Sequence, residues 1–146
     1  MRRDDAPTSL IIKEAIAVRR SFGPGLFESA CEAMLADALQ AAGVLVERQL
    51  PVPIRYRNRT NTEGYRLDLL VDRQVVVEIE SLEKLALIHS QQLLTYLRLG
   101  GFQIGLLLNF GAGTLNDGLK RLVNDFTPSG DSPLLVNRMP RVEPTA

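Results

Sequence analysis

Residues 65–80 read YRLDLLVDRQVVVEIE, and this stretch decides how the chain is organised. Tyr65, Leu67, Leu69 and Val71 alternate with Arg66, Asp68 and Leu70, and after a short polar break Val75, Val77 and Ile79 alternate with Val76, Glu78 and Glu80. A period of two is the signature of a strand, so the stretch predicts two strands joined by a tight loop, with Glu78 and Glu80 on one face. A three-residue loop of Asp72, Arg73 and Gln74 places Asp68 opposite Glu78 and brings its carboxylate to that face. A two-residue loop slips the register by one and separates them.

Carboxylates beside apolar strands are costly unless something neutralises them. A hard divalent cation does so through oxygen ligands, and Mg²⁺ commonly takes one or two carboxylates with phosphate and water. The alternative is a solvent-facing sheet surface on which Asp and Glu are ordinary.

The rest of the sequence narrows the setting. With 146 residues, the chain is long enough for one domain with its own core, expected over 1–126, followed by a loosely ordered tail over 127–146. Its 45% hydrophobic and 23% charged residues suit a globular protein, and the net charge of zero argues against a scaffold that is basic throughout. Nucleic-acid contact, if any, then belongs to a local patch. The single cysteine, Cys31, excludes an internal disulfide and suits a reducing compartment. No apolar run approaches the ~20 residues needed to span a membrane, and no signal-like segment follows the first residues, so a cytoplasmic protein is expected.

In chain order, Thr8 or Ser9 caps a helix to about Arg20. Phe22-Gly23-Pro24-Gly25 breaks it, and a second helix runs from about Leu26 to Ala42. Steps of three and four join Glu28, Cys31, Leu35 and Leu39, so Glu28 is expected at the head of the buried stripe. It is either a first-turn carboxylate favoured by the helix dipole or a fourth acid aimed at the hairpin. Val44–Tyr56, with Pro51 and Pro53, reads as a bent strand near a sheet edge. It leads into Arg55-Tyr56-Arg57-Asn58-Arg59, a solvated hairpin tip or a phosphate grip. A helix from about Ile88 to Leu99 sets His89, Gln92 and Tyr96 on one face and ends at Gly100-Gly101. Ile104–Leu108 suits a strand buried on both faces, and a last helix is expected from Thr114 to about Phe126, with Gly118 weakening it or marking close packing. The order helix, helix, strand, strand, strand, helix, strand, helix describes an α/β sandwich on a mixed sheet.

Several words of this sequence resemble the GxxExxY protein family: Gly25-x-x-Glu28 after Phe22-Gly23-Pro24, Tyr65-Arg66-Leu67-Asp68, Val77-Glu78-Ile79, Gln92-Leu93-Leu94-Thr95-Tyr96-Leu97, Gly105 to Gly111, and Asp117 to Arg121. The resemblance runs from about Ser9 to Asn124. That family is similar to the PD-(D/E)XK nuclease superfamily, whose core has the order just given. The resemblance therefore implies a restriction-endonuclease-like α/β core with a mixed central sheet flanked by helices. It also implies roles. Asp68 and Glu78 match metal-binding acids, with the Ile79 carbonyl as a further ligand. Glu28 matches an acid that some branches add from the first helix. Gln92 and Tyr96 match a QxxxY helix motif that helps hold the site and the DNA.

Two positions depart from the pattern. Glu80 stands where the superfamily usually has the lysine that positions water and stabilises developing charge. Lys84 is close enough in sequence to be a substitute from the connector. Cys31 stands where the family name expects tyrosine, a packing change on the buried stripe. The expected activity is a nuclease dependent on Mg²⁺ or Mn²⁺ and acting on DNA or RNA, directly or through a partner protein, with a homodimer as a further option. Glu80 would orient or deprotonate the attacking water. The alternatives are an inactive nuclease-fold module that binds nucleic acid or a protein, and an acidic site that only stabilises the fold through a bound cation.

Overall fold

The computed structural model describes residues 5–124. The expected tail over 127–146 and the far end of the expected last helix lie outside the described residues. Two helices come first, α1 (Asp5–Phe22) and α2 (Glu28–Ala41), separated by a single turn of 3-10 helix at Gly23–Gly25. Then follow β1 (Val46–Tyr56), β2 (Arg59–Val71), β3 (Val75–Glu80), α3 (Leu87–Gly100), β4 (Ile104–Asn109) and β5 (Leu119–Val123). The sheet has the order β1-β2-β3-β4-β5. β1, β2 and β3 form an antiparallel meander, α3 crosses over to make β4 parallel to β3, and β5 returns antiparallel to β4.

The sheet separates two cores. On one side Ile11 and Ala15 of α1 and Cys31, Leu35 and Leu39 of α2 pack on Leu69, Val71, Val75, Val77, Ile79, Leu106 and Leu108. On the other, Leu93 and Leu97 of α3 pack on Val52, Leu67, Leu70, Val76 and Leu107. Each Leu or Ile fully removed from water contributes about 1.5–3 kcal/mol, so these two layers supply the main drive to fold. Arg19 ties α1 to the turn after β4, donating to the carbonyls of Ala112 at 2.8 Å and Gly113 at 3.0 Å. α3 stops where Gly101 adopts φ 73°, the left-handed conformation that suits glycine after a helix.

Of the two hairpin registers the sequence leaves open, the one with the three-residue loop is observed. Leu69 pairs with Val77, Leu70 with Val76 and Val71 with Val75 across a loop of Asp72, Arg73 and Gln74. Asp72 and Arg73 both have positive φ, 53° and 55°, and Gln74 N–H donates to the Val71 carbonyl at 3.0 Å. Left-handed central residues match the twist of the flanking strands, which fixes the register.

Three expectations are corrected. β2 begins at Arg59, not Tyr65, because it pairs back along β1 as a long ribbon: Tyr56 pairs with Arg59 and Ile54 with Asn61, with a register shift between Val52 and Ile54 beside Pro53. The expected last helix is instead a 3-10 turn at Asn116–Gly118 followed by a strand. Pairing with Ile104–Leu108 satisfies the outer backbone edge of β4, which a helix would leave open. Gly118 is pressed against β4, where a Cβ would run into the carbonyl oxygen of Asn109. Finally, the buried stripe of α2 is headed by Cys31 and Glu32, while Glu28 is exposed in its first turn.

Candidate active site

The β2–β3 ladder ends at Leu69–Val77, and one residue further the two strands part. The Asp68 side chain enters the gap: its Oδ2 accepts the Ile79 main-chain N–H at 2.8 Å. A carboxylate thus replaces the ladder acceptor that the diverging strand withdraws.

A second distortion faces it. Arg48 pairs with Leu69 and Leu50 with Leu67, so Gln49 sits opposite Asp68. Gln49 has φ 51°, a left-handed conformation within a strand that costs about 1–3 kcal/mol for a residue with a side chain. The kink turns the β1–β2 ribbon over. Val46, Leu69 and Val71 face the α1–α2 core, whereas Leu50, Val52, Tyr65 and Leu67 pack on the α3 side. Gln49 Nε2 lies 2.5 Å from Glu32 Oε1 and 3.4 Å from Asp68 Oδ1. Glu32 is 5% exposed, and its other oxygen takes Arg48 Nε at 3.1 Å and Nη2 at 3.0 Å. A chain of contacts therefore runs from α2 through Glu32 and Gln49 to Asp68.

Glu78 is 8% exposed, and its Oε1 is buried with no hydrogen-bond partner. Burial first, and then the charge of Asp68, push its carboxyl up to about 10. Glu78 holds a proton at neutral pH unless a cation takes its place. Glu80 is raised to about 7, chiefly by burial and then by the charge of Glu28, with which it is in hydrogen-bonding reach; His89 opposes the shift. The acids thus fall into two pairs, Asp68 with Glu78 and Glu28 with Glu80, with Asp68 also acting on Glu80. The Glu80 main chain is fixed by pairing with Asn109 and by Phe110 N–H on its carbonyl at 2.9 Å. The buried Asn109 side chain holds the connector, accepting from Leu82 N–H at 2.9 Å and donating to the Leu82 carbonyl at 2.9 Å.

From α3, Tyr96 reaches this patch. Its hydroxyl is pushed up to about 12 by burial and then by Glu78 and Asp68, so it stays a proton donor. Its ring meets Tyr65 edge-on, with centroids 5.2 Å apart. Gln92 lies one turn earlier and is exposed, and no hydrogen bond joins its amide to the acids. His89 Nδ1 sits 3.0 Å from the Ala86 nitrogen at the start of α3, a capping position. Lys84 is exposed on the connector, and the charges acting most strongly on Glu80 are those of Glu28, His89 and Asp68. Cys31 is fully buried in the α1–α2 core, where burial pushes its thiol up.

The donor set is all hard oxygen, and the orphaned Glu78 oxygen beside Asp68 is the place where a cation fits. Among the described residues, no three His, Cys, Asp or Glu side chains gather closely enough to hold an ion alone. Two carboxylates completed by phosphate and water is an arrangement Mg²⁺ commonly accepts. Sequence reasoning reached Asp68, Glu78, Glu80 and Tyr96 but missed Glu32, Arg48 and Gln49. Glu32 had a signal, since it follows Glu28 by one helical turn. The left-handed Gln49 had none.

A family model described as the PD-(D/E)XK nuclease superfamily matches residues 5–122, and the chain belongs to that superfamily. No curated protein and no solved structure matches it. No helix among the described residues is long and apolar enough to cross a membrane.

Proposed function

We propose that this protein is a divalent-metal-dependent nuclease that hydrolyses phosphodiester bonds of nucleic acid. The observation that carries the reading is the buried, unpartnered Glu78 Oε1 beside Asp68 at the point where β2 and β3 part. Membership of a nuclease superfamily supports it.

Asp68 and Glu78 would hold the ion, Mg²⁺ or Mn²⁺, and the Ile79 carbonyl would add a neutral ligand. The bound metal would polarise the phosphate and acidify the attacking water. Glu80 takes the water's proton. Its carboxyl, raised to about 7, is matched to base work near neutral pH, where a group at the ordinary carboxylate value would be too weak. As the water oxygen bonds to phosphorus, the bond to the leaving oxygen breaks, and that oxygen takes its proton from solvent. Burial chiefly raises the basicity of Glu80, and the charge of Glu28 adds to it. Tyr96, protonated throughout, donates toward the acids or the substrate phosphate.

The test is cleavage of single- and double-stranded DNA and RNA with Mg²⁺, Mn²⁺ or EDTA, the parent protein beside Glu78→Ala. Metal-dependent cutting that the variant lacks is expected. No cutting by folded parent protein under any condition would leave the second reading, an inactive binding module, which the acid at position 80 favours.

A further inference from the structure

We propose that the outer half of the β1–β2 ribbon is an arm that grips double-stranded DNA beside the acidic site, with Arg57, Arg59 and Arg66 on the phosphates. The inference rests on the nuclease reading and deepens it by naming the substrate form and the surface that holds it.

β2 pairs with β3 at Leu69–Val71, and on the N-terminal side of Leu69 its one strand partner among the described residues is β1. The ribbon's base is anchored on the α3 side through Leu50, Val52, Tyr65 and Leu67. Past it every residue from 55 to 64 is exposed. Residues 55–66 hold four arginines and one glutamate in a chain whose net charge is zero. The ribbon thus carries a local excess of positive charge, four of the chain's 17 Lys and Arg residues against one acid, while Asp68 and Glu78 sit at its root. That division supplies what the site lacks, since the acids repel phosphate and a cationic arm attracts it.

The shape argues for a duplex. A two-stranded ribbon fits the major groove of B-form DNA, while the major groove of A-form RNA is too deep and narrow to admit it. Tyr56 is 69% exposed, but the Arg57 guanidinium lies 5.2 Å from its ring centroid. One ring face thus already has a cation over it, which suits phosphate contact at the tip better than a run of base stacking on single strands. Arg66 and Arg59 follow Asp68 back along β2 by two and nine residues. At ~3.3 Å per residue the farther one lies up to about 30 Å away, roughly nine base pairs of duplex.

The experiment is fluorescence anisotropy with the full chain and Ca²⁺ present, on labelled 30-bp and 6-bp duplex DNA, single-stranded DNA and duplex RNA across a salt series. Arg57→Ala/Arg59→Ala is compared with the parent and with Glu78→Ala. Both arginines are exposed, so circular dichroism of the double variant should match the parent. On 30-bp DNA the double variant should bind about tenfold more weakly with a salt slope smaller by about two, and on 6-bp DNA the difference should vanish. Unchanged affinity and slope, or an equal loss on single strands or RNA duplex, overturns the arm. The same proteins are also run in the Mg²⁺ and Mn²⁺ cleavage assay, where arm-dependent binding without any cleavage keeps the arm and removes the nuclease reading. Cleavage that ignores the arm variant does the reverse.

Discussion

Asp68 accepts a hydrogen bond from the Ile79 main-chain N–H at 2.8 Å, so a side chain of β2 completes the backbone pairing of β3 beyond their last ladder pair. The aspartate is held by the strand that carries Glu78, and the two acids cannot drift apart without breaking that bond. Asp68→Asn keeps a carbonyl oxygen for Ile79 and removes the charge. It should fold like the parent by circular dichroism and lose metal-dependent cleavage by at least about a hundredfold. Asp68→Ala should lose cleavage as well and also melt lower, by about 1–3 kcal/mol, since it leaves the Ile79 donor unpaired. Equal melting of the two variants would remove the structural role.

The raised carboxyls of Glu78, about 10, and Glu80, about 7, make metal-free stability depend on pH. Both folded values lie above the unfolded one of 4.5, so the folded protein binds more protons. Their stabilisation is fully present below pH 4.5 and is lost as pH rises, through about 7 for Glu80 and about 10 for Glu78. Between pH 7 and 9 the Glu78 contribution alone should fall by on the order of 1 kcal/mol per pH unit. Thermal melts in EDTA should show Tm dropping over that range, and Glu78→Gln should flatten the drop. A parent Tm that rises from pH 7 to 9 would contradict the assignment.

Glu80 as base predicts that log kcat rises with pH and levels near pH 7, where its carboxyl ionises. Glu80→Gln should lower kcat by about 10²–10⁴ and erase that limb while leaving metal affinity little changed. A variant that keeps the same pH limb would show that another group titrates there. Glu28→Gln removes the repulsion on Glu80, so the limb should move to lower pH.

Gln49 separates strain from positioning. Gln49→Gly keeps the left-handed backbone at little steric cost but deletes the amide between Glu32 and Asp68. The glycine variant should melt near the parent temperature, since relief of strain offsets the partner lost by Glu32, yet bind Mn²⁺ more weakly and cleave about tenfold more slowly. Gln49→Asn, which tolerates the same φ and keeps an amide, should recover part of both. If Mn²⁺ affinity is untouched in the glycine variant, the Glu32–Gln49–Asp68 chain does not orient the site.

Gly118→Ala places a methyl group against the Asn109 carbonyl and Ala112. Backbone cannot yield as a flexible side chain can, so denaturant unfolding should show a loss of about 1–3 kcal/mol. A neutral result would mean that the turn before β5 relaxes freely.

The readable parts of this molecule are those whose signal is local. The alternation from Tyr65 to Glu80 marks two strands, while which acids meet hangs on the loop length, which the sequence leaves open and the pairing of Leu69 with Val77 decides. The α2 stripe at Cys31, Leu35 and Leu39 and the stop at Gly101 were likewise written nearby. What escaped is decided by distant partners. Leu119–Val123 is a strand because β4 offers it an open edge, and Gly118 signals packing against a residue nine positions earlier. Glu32 rather than Glu28 is the buried acid of α2 because Arg48 and Gln49 of β1 close over it, while Glu28 stands exposed in the first turn. The β1–β2 ribbon turns over at Gln49, a residue with no preference for that conformation, so only the assembled sheet reveals that the faces exchange there.

The unpartnered Glu78 oxygen makes loading the centre an exchange reaction. Burial and Asp68 favour the protonated side chain at neutral pH, so a divalent ion bound there would have to displace that proton. On the proposed reading ion and proton would compete for one carboxylate: acidification would empty the centre and firm the fold, and alkalinity would prime the centre and loosen the empty protein. The same atom would then work as an interlock, tying the readiness of the site to the proton activity around it and leaving a nuclease of this kind most resistant to unfolding when it is least able to cut.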